Sequence, residues 1–162
     1  MSRAIENRLK KVLALKKKPS GKTFDKAFDA IWDIGELGQQ KKHRAQATTA
    51  LKAIVEHGVM ASTAWMRLSD FVTSDDEELV RAHMQDPDCA YECMSALIRL
   101  FGRQVYGEAV DMVCDGDRDA NTRLSVLQEV SEHSGYPFDE MVDEDVRADE
   151  VTGDDLPLEE LR

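Results

Sequence analysis

Apolar residues recur along the chain at the spacing of one helix face, and four segments share an eight-residue pattern: Ala27–Ile34 (AFDAIWDI), Ala47–Ile54 (ATTALKAI), Cys93–Leu100 (CMSALIRL) and Arg123–Val130 (RLSVLQEV). In each, a large aliphatic residue follows a small or apolar one and another aliphatic comes three positions later: Ala30-Ile31/Ile34, Ala50-Leu51/Ile54, Ala96-Leu97/Leu100 and Val126-Leu127/Val130. Residues so spaced share one side of a helix.

The rest of the chain divides by the same reasoning. Ser2 caps a first helix through Lys17, which Pro19-Ser20-Gly21 breaks. A second helix from Thr23 toward Gly38 buries Phe24, Ala27, Phe28, Ile31 and Ile34. A third, from about Gln40 to His57, stops at Gly58, a residue suited to the left-handed conformation after a helix end. Val59 to Val72 follows, with Met60, Ala64, Trp65, Leu68 and Phe71 on one stripe. Ser74 and Glu77 read as a capping box for a helix over Asp75–Gln85. Residues 88–101, 104–114 and 119–134 complete the series, with a short helix near 138–146. Helix formers dominate and strand-like alternation is hard to find, so an all-α fold of about eight to nine helices is expected.

One stretch is specific enough to suggest a family. Asp86-Pro87-Asp88 opens a helix, Ala96-Leu97-Ile98-Arg99-Leu100-Phe101-Gly102 closes it, and Gln104 to Cys114 supplies a partner helix; Asp117-Arg118-Asp119 then starts a second copy that runs to Gly135. This resembles the HEAT and armadillo-like α-solenoid repeats, in which a helix carrying Ala-Leu-x-x-Leu-Gly is followed by a turn and a second apolar helix. The resemblance implies a short helical-repeat domain, an α-α superhelix, over residues 23–146, between a basic N-terminal helix at 1–22 and an acidic tail at 147–162. The Ala-Leu positions step by 20, 46 and 30 residues, whereas a regular array keeps one period of roughly 30 to 47. The array is therefore read as short and irregular.

Charge changes the picture. Residues 1–44 carry 12 Lys+Arg against 5 Asp+Glu, and residues 45–162 carry 9 against 27. The chain is a dipole with a basic start. Phosphate binding needs Lys and Arg to replace counterions, so the acidic body is a poor nucleic-acid ligand. The N-terminal helix differs: Arg3, Arg8, Lys10, Lys11, Lys16, Lys17 and Lys18 surround a stripe of Ile5, Leu9, Val12 and Leu13. Such a helix either lies on an anionic surface or packs its stripe inward and leaves its lysines solvated. Asp139 to Arg162 holds eleven acidic residues against two arginines, the composition of a solvated tail.

Candidate chemistry is sparse. Cys89 and Cys93 are four apart with His83 upstream, yet no second Cys or His pair completes a tetrahedral metal set, so both read as core thiols, as does Cys114. Three cysteines do not make a disulfide framework. His57 and His133 each follow a Glu in the last turn of a helix, where they suit the terminal carbonyls. Asp117-Arg118-Asp119-Ala120-Asn121 begins like a calcium loop but places Thr122 where glycine is needed and Gln128 where a bidentate Glu is needed, so capping by Asp117 or Asp119 is preferred. Ser131-Glu132-His133 contains nucleophile and base types, but adjacent helical positions do not face one another. No catalytic residue, cofactor or metal is expected.

The expectation is a non-enzymatic, cytoplasmic protein–protein interaction module whose acidic helical surface, with Asp75, Asp76, Glu77 and Glu78 as candidate contacts, binds a basic or amphipathic protein. Such a surface resembles that of an immunity protein neutralising a basic toxin, or a small adaptor. The alternative is an accessory factor that binds anionic membrane or nucleic acid through Lys10, Lys11, Lys16, Lys17 and Lys18. An enzyme with a site assembled only by the fold is a third reading.

Overall fold

A computed structural model describes residues 1–135, and among them all regular structure is helical. Eight α-helices are present: α1 (Arg3–Leu13), α2 (Lys22–Gln39), α3 (Arg44–His57), α4 (Ala61–Leu68), α5 (Glu77–His83), α6 (Ala90–Phe101), α7 (Tyr106–Cys114) and α8 (Ala120–Ser134). Only seven of these reach eight residues, so full helices are fewer than the eight to nine expected. Short 3-10 turns at Ser74–Asp76 and Gly102–Val105 lead into α5 and α7. The helix expected near 138–146 and the acidic tail at 147–162 lie outside the described residues. No helix among the described residues is long and apolar enough to cross a membrane.

The contacts divide the chain into two compact units, Met1–Val72 and Thr73–Arg162. The division falls inside the 23–146 stretch that the sequence reading treats as one domain, and the first unit takes in the basic N-terminal helix.

In the first unit, α1 lies against α2 and α3, and α2 against α3 and α4. The apolar stripes explain this: Ile5 and Val12 of α1, Ile31 and Ile34 of α2, Leu51 and Ile54 of α3, and Trp65 and Leu68 of α4 are all fully buried. Gly38 brings α2 close to its neighbours, since a Cβ there would lie 2.8 Å from the Ala47 Cβ and 2.9 Å from the Phe71 ring. Gly58 adopts φ 83° at the end of α3, as its sequence position suggested. Three boundaries differ from expectation. Helix α1 stops at Leu13 instead of Lys17, because no residue from Ala14 to Ser20 is buried and propensity alone seldom holds an extra turn. Helix α3 starts at Arg44, after a turn in which the His43 N–H donates to the Gln40 carbonyl. Helix α4 covers only Ala61–Leu68, although Met60 and Phe71, outside it, are buried with the stripe.

In the second unit, α8 packs on both α6 and α7, and α5 on α6. Leu97 and Ile98 of α6, Val110 and Val113 of α7, and Val126, Leu127 and Val130 of α8 form the core. Of the residues defining the four repeated segments, all but the half-buried Leu100 are buried. The capping box ahead of α5 is Thr73 with Asp76, one residue earlier than Ser74 with Glu77: Asp76 accepts from the Thr73 N–H at 3.0 Å, and the 3-10 turn begins at once.

Candidate functional site

The acidic quartet at the start of α5 is divided by its own hydrogen bonds. Asp75 and Glu78 are exposed. Asp76 is occupied by the Thr73 cap, and Glu77 accepts from Arg81 at 2.7 Å. Arg81 also reaches Glu108 of α7, so one guanidinium ties α5 to α7 and two carboxylates are spent on it. Only half of the quartet is left to meet a partner.

The same arrangement recurs through the second unit. Arg123 is buried on α8, where its Nε donates to the Val113 carbonyl at the end of α7 at 2.5 Å. Arg118 bonds to the Met84 carbonyl, to Gln85 and to Asp115, fastening the α7–α8 loop to the end of α5. Residues 73–135 contain 5 Arg and no Lys against 14 Asp+Glu, and three of those arginines are turned to internal partners. Carboxylates consequently dominate the outside. A cleft of about 270 Å³ lies along this surface, lined by Pro87 and Ala90 together with Asp115, Asp117, Asp119 and the cation Arg118. Asp119 also caps α8 by accepting from the Thr122 N–H at 2.9 Å, in keeping with the capping role read for the calcium-like segment.

The lysine set lies in the first unit. Lys10, Lys11, Lys16, Lys17 and Lys18 are exposed, and Lys10 pairs with Glu6 one turn away. The stripe beneath them is used internally, with Ile5 and Val12 at 0% exposure. Arg8 bridges to Asp33 of α2 at 2.8 Å, and the Ser2 N–H donates to Gln46 of α3 at 2.6 Å. This helix is fastened by its apolar face and both flanks, so insertion of that face into a bilayer would require undocking it.

Helix α2 carries a feature the sequence reading misassigned. Phe24 and Phe28 are half-buried instead of core residues, and they continue into Trp32, which is 37% exposed. The Phe28 and Trp32 rings stack at 5.5 Å, and the Arg67 guanidinium lies 4.4 Å from the Trp32 centroid while bonding to Glu36. Their i, i+4 spacing was the available signal.

Cys89 and Cys93 are fully buried, which fits core thiols, and burial is the main cause raising both pKa values, Cys89 to about 12. Cys114 is half-buried. His57 ends α3 exposed. His133 does more than face terminal carbonyls: its Nδ1 meets the Tyr106 hydroxyl at 2.8 Å, with the rings edge to face, joining α8 to the start of α7. Ser131 is buried beside it. The sequence reading paired His83 with the two cysteines and passed over Asp86, yet donor atoms of His83, Asp86 and Cys89 all lie within 4.8 Å of one another.

No family model, curated protein or solved structure matches this chain.

Proposed function

We propose that this protein is a non-enzymatic interaction module of the immunity or adaptor type, built from short helical repeats, whose second unit docks a basic protein segment. The observation that carries the reading is the excess of 14 Asp+Glu over 5 Arg in residues 73–135, with Asp75, Glu78 and Asp117 exposed and Arg118 and Arg123 bonded to backbone carbonyls. Electrostatic complementarity of this kind accelerates encounter and selects cationic partners. The packing of helices on next and next-but-one neighbours within each unit supports the repeat architecture. Anionic membrane or nucleic acid, approached by Lys10, Lys11 and Lys16–Lys18, is the competing outcome; the buried stripe of α1 weighs against membrane insertion.

The test is titration of the full chain with a synthetic Lys/Arg-rich helical peptide and, separately, with phosphatidylserine vesicles and duplex RNA. Reversal of Asp75, Glu78 and Asp117 to Lys is expected to weaken peptide binding about tenfold and flatten its salt dependence, while reversal of Lys16, Lys17 and Lys18 to Glu leaves it nearly unchanged. Peptide affinity that survives the acidic reversal, or vesicle or RNA binding lost on lysine reversal, would overturn the assignment.

A further inference from the structure

The turn joining α5 to α6 brings three different metal-ligating side chains together. His83 is the last residue of α5 and Cys89 is the N-cap of α6. Between them the Asp86 N–H donates to the His83 carbonyl at 3.1 Å and the Cys89 N–H donates to the Asp86 carbonyl at 3.0 Å. These are two successive i to i+3 turns. Each turn brings its first and fourth residues close, and an imidazole nitrogen, a carboxylate oxygen and a thiol sulfur converge within 4.8 Å.

We propose that His83, Asp86 and Cys89 form a binding site for a divalent transition metal of the zinc class, with solvent in the fourth position. Nitrogen, oxygen and sulfur donors together suit zinc or cobalt(II) and disfavour magnesium or calcium, which take oxygen alone. Metal–donor bonds of about 2.0 to 2.3 Å set the edges of a tetrahedron at roughly 3.3 to 3.8 Å, so closing the observed set onto an ion takes a contraction of at most about 1.5 Å. Three protein ligands and an open position are a complete set for zinc sites of the non-structural kind, which removes the objection that no fourth Cys or His is present.

The surroundings favour a cation. Asp86 is itself a donor, and the carboxylates of Asp88 and Glu92 act on the Cys89 sulfur. Negative charge so placed stabilises a bound dication, and the N-terminus of α6 supports the thiolate. Binding exchanges one proton for one metal–sulfur bond: the thiol proton leaves to solvent as the thiolate coordinates, with no change of oxidation state. Cys93, one turn further along α6 and fully buried, is outside the three-donor group. The turn that carries the site also lines the acidic cleft through Gln85 and Pro87, but the test below uses the metal alone and does not depend on peptide binding.

The probe is cobalt(II) added to the reduced full-length protein under anaerobic conditions. The expected result is one ion per chain with a thiolate-to-cobalt charge-transfer band in the near ultraviolet, release of about one proton per ion, and displacement by zinc. Cys89→Ser should abolish the band, and His83→Gln and Asp86→Asn should each weaken binding by at least about tenfold, since even outer-shell changes cost that much. Asp86→Asn keeps an oxygen for the turn bond from the Asp88 N–H, found at 3.0 Å, and circular dichroism checks that each variant folds. Cys93→Ser should retain the band. Cobalt that binds without a sulfur band would reflect exposed carboxylates and overturn the site. A band lost in Cys93→Ser but kept in His83→Gln would overturn this ligand set.

Discussion

The two units have similar amounts of helix and opposite electrostatics, and among the described residues the one buried arginine, Arg123, belongs to the second. Met1–Val72 contains 14 Lys+Arg against 7 Asp+Glu, and the chain beyond it contains 7 against 25. In the first unit the core is closed by apolar packing and a close glycine approach, and its arginines pair with acids: Arg8 spans to Asp33, and Arg67, only 11% exposed, lies over Trp32 and bonds to Glu36. In the second, Arg123 is buried against a backbone carbonyl, Arg118 is largely covered, and Arg81 bridges two half-exposed acids. With 14 Asp+Glu against 5 Arg over residues 73–135, the second unit presents an excess of acids by composition. The arginine bonds decide which of those acids are occupied.

Core truncation should produce the largest effects, and in both units. Trp65→Ala in the first and Leu97→Ala in the second, each at 0% exposure, are expected to cost about 3 to 5 and about 2 to 5 kcal/mol, read by urea denaturation. A near-zero loss at either position would mean that the stripe does not form the core of its unit.

Arg123→Leu separates the two modes of construction. It keeps bulk on α8 but leaves the Val113 carbonyl without this donor, and should cost about 2 to 3 kcal/mol. A neutral outcome would show that the buried Arg123 bond adds nothing to the packing of α8 on α7. Gly38→Ala is the corresponding probe of the first unit. The added Cβ meets Ala47 and Phe71 well inside contact distance, so a loss of about 1 to 3 kcal/mol is expected despite alanine's better helix propensity. A gain in stability would mean that the helices separate easily at that point.

Arg81→Ala should have the smallest effect. Its side chain and both carboxylate partners are 37–42% exposed, so solvent screening limits the loss to about 1 kcal/mol or less, declining further in 0.5 M salt. A loss as large as that of Arg123→Leu would place the α5–α7 link on a level with the buried one.

Much of this was legible in the sequence because periodicity reports burial directly. The repeated segments mark α2, α3, α6 and α8, and their first positions, Ala27, Ala47, Cys93 and Arg123, are all buried. Of the last segment only Val126, Leu127 and Val130 carried the pattern, and Arg123 had no role in it; its burial is possible because a backbone carbonyl is within reach of its stem. The unit boundary was harder to see. Residues 45–72 carry Lys52 and Arg67 against Glu56 and Asp70, a local balance of zero, so the charge step shows at residue 44 and not at 72. No proline or glycine marks the junction at Ser69–Thr73 either. The division of labour within Asp75–Glu78 was not readable, since it depends on which carboxylate turns back to Thr73 and which meets Arg81. Asp86 was passed over because a helical period of 3.6 does not bring 83, 86 and 89 to one side, whereas two consecutive tight turns each bring their first and fourth residues close.

The most direct test of the central claim, that the acidic second unit is the docking surface, is residue-resolved NMR titration of the full chain with a Lys/Arg-rich helical peptide. Amide shifts should concentrate around Asp75, Glu78 and Asp115–Asp119, and fade as salt rises. Shifts confined to α1, α2 or the lysines at 16–18, with the amides of the second unit unmoved, would contradict it.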